Sequence, residues 1–434
     1  MTNRAPEGPR GSLVGRTLAK TFLSLRNRNF RLYFIGQLIS NTGNWLTNVA
    51  LTLFVLKLTG SGLAVGVLAA CQFGPTLFLS AWAGAIADRT DKRRMLILTQ
   101  TLEMAQSVGL AVLAFMPHPP LAALYALALG GGMLLAFDSP ARRSFVPEMA
   151  RGEDVPNAVV LYSMTVNVSR IFGPALAGLL VVTVGYGWCF TFDAVSYLAV
   201  LLCLFMMRPS ELHRRVPKPR EKGEVRAGLE YVRSMPTLWI SFVMLIVIGV
   251  LAYNYTVTLP LFVTDALHAP VTVFTLLYSV FSFGAVVSGL VVAHRALVQI
   301  RHVVFGALSV GVAMLALAVV PGVAAAFPVV FLLGMASILY MTASTAIVQV
   351  EATPEMHGRV LSLQNVIIGG SALVGGPLLG WLADTMGGRA PIVLGGIGAL
   401  AAGAFGYFAA RHFVHPTPDV CEAVTGADVH PASQ

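Results

Sequence analysis

Runs of mostly apolar residues recur twelve times along the chain, at 32–56, 63–87, 95–116, 121–137, 159–183, 188–207, 238–263, 271–293, 303–320, 326–350, 361–383 and 391–411. Each is close to the roughly 20 residues that a helix needs to cross a bilayer. Gly and Pro interrupt several runs, which membrane helices tolerate where neighbours re-satisfy the backbone. The connections are short and polar, except for one long charged stretch at 208–236 that leaves six runs on either side. The pattern predicts an all-α membrane protein of twelve transmembrane helices. Its parts are a tail at 1–31, a six-helix bundle at 32–207, a linker at 208–237, a second six-helix bundle at 238–411 and a tail at 412–434. In the linker, Val225, Leu229 and Val232 follow the basic segment HRRVPKPREK at helical spacing. Before the first run, Leu18, Phe22 and Leu25 share a helical face among Lys20, Arg26 and Arg28. Both patterns read as amphipathic helices at the membrane surface.

The two halves repeat. VPEM at 146–149 precedes a span with GPALAG, and TPEM at 353–356 precedes one with GPLLG. Leu53-Phe54-Val55 recurs as Leu261-Phe262-Val263, and Phe73-Gly74 as Phe283-Gly284. The four offsets fall between 203 and 210 residues. Two parallel six-helix repeats are a transporter construction in which substrate sits at their interface, near the bilayer midplane.

Composition agrees. Of 434 residues, 56% are hydrophobic and 11% charged, against about 25% charged in soluble domains. The net charge of +9 is not gathered into a basic domain or interleaved with aromatics, so nucleic acid is not the expected partner. With the N-terminus inside, 26 of the 29 Lys and Arg fall on the inner side; Lys57 and Arg389 lie outside and Arg170 lies within a span. That asymmetry makes both termini cytoplasmic. Cys71, Cys189, Cys203 and Cys421 form no ligand motif, and the nine His are scattered. Neither a disulfide framework nor a metal site is expected. No signal-peptide core precedes the first run, which reads as a retained helix. No catalytic set, cofactor motif or nucleotide-binding glycine loop appears, so neither an enzyme nor an ATP-driven pump is expected.

Candidate chemistry sits at a few places. Between spans two and three the chain reads Gly84-Ala-Ile-Ala-Asp88-Arg89-Thr-Asp91-Lys92-Arg93-Arg94. Gly84 allows close helix approach. Asp88 can face the positive N-terminus of another helix, here span eleven near Gly358 and Arg359. Arg89, Lys92 and Arg93 can pair with acids or lipid phosphates. Span five carries Ser169, Gly173, Pro174 and Gly178, small residues and a bend that suit close packing. Span one carries Gln37, Asn41, Asn44 and Asn48 on one face with Trp45 beside it. Amides facing lipid cost several kcal/mol in total, roughly, so this stripe faces protein or water. Arg170 lies about 16 Å into span five, Glu103 about 12 Å into span three and Asp193 about 8 Å into span six. The two acids are candidates for proton coupling; a fixed pairing with Arg170 is the alternative.

The loop at Gly84–Arg94 resembles the signature of the major facilitator superfamily. The stretches LRNRNFRLYFIGQLISNTGNWL, LTGSGLAVGVL, SPARRSFVPEM, NVSRIFGPALAGLL and HGRVLSL resemble its bacterial branch of enterobactin-type siderophore exporters and macrolide or multidrug effluxers. The resemblance covers 25–411. Asp91 replaces the superfamily's usual Gly, and the corresponding site at 289–295 lacks the acid, so the gate role carries over to the first half alone. Span five, with Arg170, Gly173, Pro174 and Gly178, partly resembles an antiporter signature. Superfamily architecture places spans one, four, seven and ten around a central cavity. It implies that Gln37, Asn41, Asn44, Trp45, Asn48, Tyr253, Asn254, Tyr340, Met341 and Ser344 line it, with hydrogen bonding between helices as the alternative. Such a surface suits a small amphipathic substrate. The resemblance implies a monomeric, multi-pass, proton-coupled exporter of a siderophore or drug in the bacterial cytoplasmic membrane. An uptake symporter or a lysophospholipid translocator on the same fold is the alternative.

Overall fold

The computed structural model describes residues 23–150, 152, 154–213, 224–292, 299–353 and 355–413; the side chains at positions 81, 85, 88, 224–226 and 271 also lie outside the described residues. The surface helix expected around Leu18 and Phe22, the basic stretch 214–222, Cys421 and most of the last tail lie outside them too. Twelve long helices follow in order: α1 (Arg28–Thr59), α2 (Gly62–Arg89), α3 (Lys92–Phe115), α4 (Leu121–Met149), α5 (Asp154–Thr183), α6 (Tyr186–Met206), α7 (Pro236–Ala266), α8 (Val271–Val292), α9 (Ile300–Ala318), α10 (Val323–Glu351), α11 (His357–Met386) and α12 (Ala390–Phe413). Among the described residues eleven of these are long and apolar enough to cross a membrane. The exception is α1, whose four amides dilute its apolar run.

Two helices depart from the apolar runs. α4 continues to Met149, well past the run that ends at Phe137. Hydropathy stops at Asp138 and Arg142, but these charges are buried against each other and do not enter a loop. Arg142, expected with the basic residues of the inner connection after span four, instead lies buried within α4. α7 is broken after Leu251 and resumes at Tyr255. Asn254 occupies the break and donates its amide to the carbonyls of Gly249 and Val250, at 3.2 and 2.9 Å.

In the first half α1 packs on α5 and α6, α3 on α4 and α6, and α2 on α4. In the second half α8 packs on α10, α9 on α10 and α12, and α7 on α11 and α12. The halves meet along two seams, α2 with α11 and α5 with α8. The face where α1 begins and α12 ends is called here the tail face. At the opposite, far face, backbone approaches backbone: a Cβ on Gly62 would lie 2.6 Å from the carbonyl oxygen of Gly380, and one on Gly376 2.7 Å from that of Gly66. Any side chain at these positions would force the helices apart, so glycine permits this seam. Toward the tail face, Phe78 and Trp82 of α2 are exposed.

The linker contains a helix at Glu224–Ser234. It does not simply float on the membrane surface. Val232 is buried, Gly228 sits against Leu363 of α11, and the Tyr231 hydroxyl accepts from the Thr353 backbone N–H at 3.1 Å. The helix is thereby docked on the second half.

Candidate functional site

Inside the first half, side chains from three helices, α1, α3 and α4, converge on the Arg142 guanidinium. Its Nη1 donates to Gln37 Oε1 at 2.7 Å and to Asn41 Oδ1 at 2.8 Å. Its Nη2 lies 3.4 Å from Glu103 Oε2, and its Nε lies against Asp138 Oδ2 one helical turn earlier. Asp138 also accepts from Thr99 Oγ1 at 2.7 Å and from Gln100 Nε2 at 3.0 Å, and Gln100 Nε2 reaches Glu103 Oε2 at 2.9 Å. Nearby, Asp193 of α6 accepts from Ser107 Oγ at 2.7 Å. Gly43 of α1 makes room for it, since a Cβ there would lie 2.5 Å from Asp193 Oδ1. A cavity of about 60 Å³ separates the two acids, lined by Asn44, Asn48, Gln72, Glu103, Gln106 and Asp193 among others. That is room for roughly four waters. Glu103 is paired with Arg142 and Asp193 is held by Ser107, so neither acid pairs with Arg170, and that alternative is not met.

The span-one stripe therefore divides. Gln37 is fully buried and Asn41 half-buried, both on Arg142. Asn44 and Asn48 line the cavity inside the first half, where Asn44 also donates to Tyr197 Oη at 3.2 Å. Trp45 turns the other way, toward the second half. It begins an aromatic chain that runs through Tyr278 and Phe281 of α8 to Tyr255 and Tyr253 of α7 and then to Tyr340 of α10. The successive ring centroids lie 6.2, 5.9, 4.6, 5.8 and 6.0 Å apart. Arg170 of α5 enters this chain, with its guanidinium carbon 5.5 Å from the Trp45 ring and 5.8 Å from that of Phe281. Tyr253 donates its hydroxyl to the Ser337 carbonyl at 2.8 Å, and the Tyr255 hydroxyl meets Ser337 Oγ at 2.8 Å.

Of the other residues expected to line a central cavity, Met341 is half-buried while Tyr340, Asn254 and Ser344 are buried. Asn254 closes the break in α7, and Ser344 is bonded to Ser241 at 3.2 Å and to Gln364 at 3.3 Å. Asn254 and Ser344 thus bond within the second half. In the antiporter-like helix, Gly173 packs on Trp45 and Thr42 of α1. Gly178 packs on Thr275 of α8, where a Cβ would collide with the threonine hydroxyl.

In the loop after α2, the Asp88 side chain lies outside the described residues, and Arg89 is exposed. Asp91 caps α3 by accepting from the Arg94 backbone N–H at 3.1 Å, so an acid has a use where a glycine would have none. Lys92 pairs with Glu148 at the end of α4 at 2.6 Å, and Arg93 Nε donates to the Leu204 carbonyl at the end of α6 at 2.9 Å. These cations tie the start of α3 to the C-terminal ends of α4 and α6, where positive charge is favoured.

The far face carries a contact that the sequence reading passed over. Asp384, in the last turn of α11, accepts from Ser61 Oγ at 2.6 Å and Leu63 N at 3.0 Å, and also from Gly62 N. A carboxylate of one half thus caps the first turn of a helix of the other. The signal was present: Gly380, Ala383 and Asp384 have the spacing of Gly84, Ala87 and Asp88. The buried pair Asp138–Arg142 was also missed, although its i,i+4 spacing was readable.

A family model described as transmembrane secretion effector matches residues 19–417. This chain belongs to the transmembrane secretion effector family of the major facilitator superfamily. Curated relatives include a staphyloferrin A transporter of Staphylococcus aureus, 27% identical over 60% of this chain and 66% of that protein. Another is the enterobactin exporter EntS of Shigella boydii, 27% identical over 48% of this chain and 50% of that protein. The chain thus spans about half to two thirds of the length of these relatives. Among solved structures, a bacterial homologue of the human lysosomal transporter Spinster, inward-facing and unoccupied, superposes with a TM-score of 0.70 at 16% identity, covering 94% of this chain and all of that one. A POT family transporter in complex with 5-aminolevulinic acid gives 0.74 at 10% identity, over 90% and 97% of the two chains. At such identities the likeness concerns the fold. This secretion-effector family member thus has the twelve-helix major facilitator architecture and is related in sequence to siderophore transporters.

Proposed function

We propose that the protein is a secondary active exporter of a siderophore-class amphipathic molecule, driven by proton antiport through alternating access of its two six-helix bundles, 32–207 and 238–411. It works as a monomer in the bacterial cytoplasmic membrane with the tail face cytoplasmic, because the positive charge lies on that side. In this reading Trp45, Tyr253 and Met341 contact substrate at the seam between the bundles. Asp88 meets the N-terminus of α11 when the tail face closes.

The observation that carries the reading is the ionisable network of the first bundle. Its membrane interior holds three carboxylates, Glu103, Asp138 and Asp193, against two guanidiniums, Arg142 and Arg170. Arginine stays charged, so one proton brings the interior to neutrality, and low dielectric favours neutrality. The cavity between Glu103 and Asp193 gives water a route to those acids. Loading and releasing that proton is the coupling step.

Inverted vesicles with an imposed proton gradient test this. A panel of catecholate and carboxylate siderophores should accumulate in wild-type vesicles against their gradient. Glu103→Gln and Asp193→Asn should lose that accumulation while still binding substrate. Gradient-driven accumulation that survives in both single variants and the double variant removes the coupling role. Movement only in the direction of the proton flux would instead mark an uptake symporter.

A further inference from the structure

The first bundle holds two guanidiniums within its spans, Arg142 buried and Arg170 half-buried, and treats them differently. Arg142 is met by two carboxylates and two amide oxygens. Arg170 makes no ion pair among the described residues, and its buried Nε has no hydrogen-bond partner. It cannot reach water by stretching along the helix, since it lies 16 residues from the start of α5 and 13 from its end, about 20 Å or more either way. A charge in a membrane interior is ordinarily paired, and leaving it unpaired is costly. The groups around it are Trp45, Phe281, Tyr253 and Tyr255. Aromatic faces attract a cation without neutralising it, and the two tyrosine hydroxyls are already engaged with Ser337. The guanidinium is therefore positioned between aromatic rings with its charge intact and donors unused, at the seam of the two halves.

We propose that Arg170 is the anchor for an anionic group of the transported molecule, so that the central site selects organic anions whose carboxylate or phenolate is carried on an aromatic or apolar body. The proposal rests on the reading of the seam as the transport site. A guanidinium matches a carboxylate with two parallel N–H···O bonds, and the flanking rings offer stacking faces to a planar body. The same locally unpaired guanidinium repels lipophilic cations, which separates this site from one that expels cationic drugs.

Three probes of similar size test the idea on the full-length protein in lipid nanodiscs: 2-naphthoate, its methyl ester and tetraphenylphosphonium. Equilibrium dialysis should show wild type binding 2-naphthoate at least about tenfold more tightly than the ester, with tetraphenylphosphonium weakest. Arg170→Gln should abolish the preference for the anion and leave ester binding unchanged. Arg170→Lys should keep the preference at reduced strength, which also covers the case in which the Gln variant fails to fold. A wild type that binds the ester or the cation as well as the anion overturns the proposal. So does an anion preference that persists in Arg170→Gln. Arg170-dependent anion selectivity without proton-driven transport in vesicles would leave the anchor standing and remove the exporter reading. Proton-driven siderophore export without anion selectivity would do the reverse.

Discussion

At the scale of single residues, the first bundle is organised by pairing. Arg142 holds Asp138 and Glu103 together in a space from which water is largely excluded. Removing one member of a buried charge set leaves the others uncompensated, a cost of about 3–5 kcal/mol. Arg142→Gln should therefore lower the thermal midpoint in detergent sharply. Adding Asp138→Asn to it should recover part of the loss, and a double variant no more stable than the single one would contradict the pairing account. The sequence marked Glu103 and Asp193 as interior acids because each stands alone in an apolar run. It hid Arg142 because a positive charge near a run of turn-like residues resembles a loop charge. What distinguishes the two cases is the arrival of acids and amides from α1 and α3, a long-range fact that no local pattern contains.

At the scale of helices, the seam between α2 and α11 couples the halves. Four glycines bring the backbones together near the far face, and Asp384 caps α2 there. A carboxylate at an exposed helix N-terminus is worth about 0.3–1 kcal/mol, a factor of about two to five in a two-state equilibrium. Asp384→Asn should shift the protein by about that factor toward opening at the far face, read as faster thiol labelling of a cysteine placed at Leu63. Unchanged labelling there would mean that the cap is incidental. The matching carboxylate Asp88 sits at the other end of α2, so Asp88→Asn should move the population the opposite way, toward opening at the tail face. The sequence disclosed the Gly84–Asp88 motif through its run of basic neighbours. Its counterpart at Gly380–Asp384 has no such flag, and its partner, the first turn of α2, is over 300 residues away. Likewise the α7 break was not legible, because nothing in an apolar run announces that Asn254 will turn back on Gly249 and Val250.

At the scale of the whole molecule, the fold was readable because bilayer thickness sets helix length and the second half echoes the first at a nearly constant offset. Twelve runs became twelve helices, departing from the apolar pattern at the end of α4, where charges are paired, and at the break in α7. Orientation has a direct test: a reporter active only outside the cytoplasm should stay silent when fused after Phe413, and a signal there would reverse the tail-face assignment. One asymmetry has a consequence for how such a protein can change over time. In the membrane helices of the second half, every described Asp, Glu, Lys and Arg lies within a turn of a helix end, whereas the first half carries its ionisable network in the interior. With the coupling role proposed above for that network, energy conversion and much of the aromatic wall fall in separate stretches of one gene. Recombination at the linker can replace the wall while leaving the energy-converting stretch untouched. A chimera joining residues 1–207 of this chain to the second half of the enterobactin exporter should keep this chain's dependence on the proton gradient while adopting a different substrate range. Loss of gradient dependence in a folded chimera would place part of the coupling machinery beyond the linker.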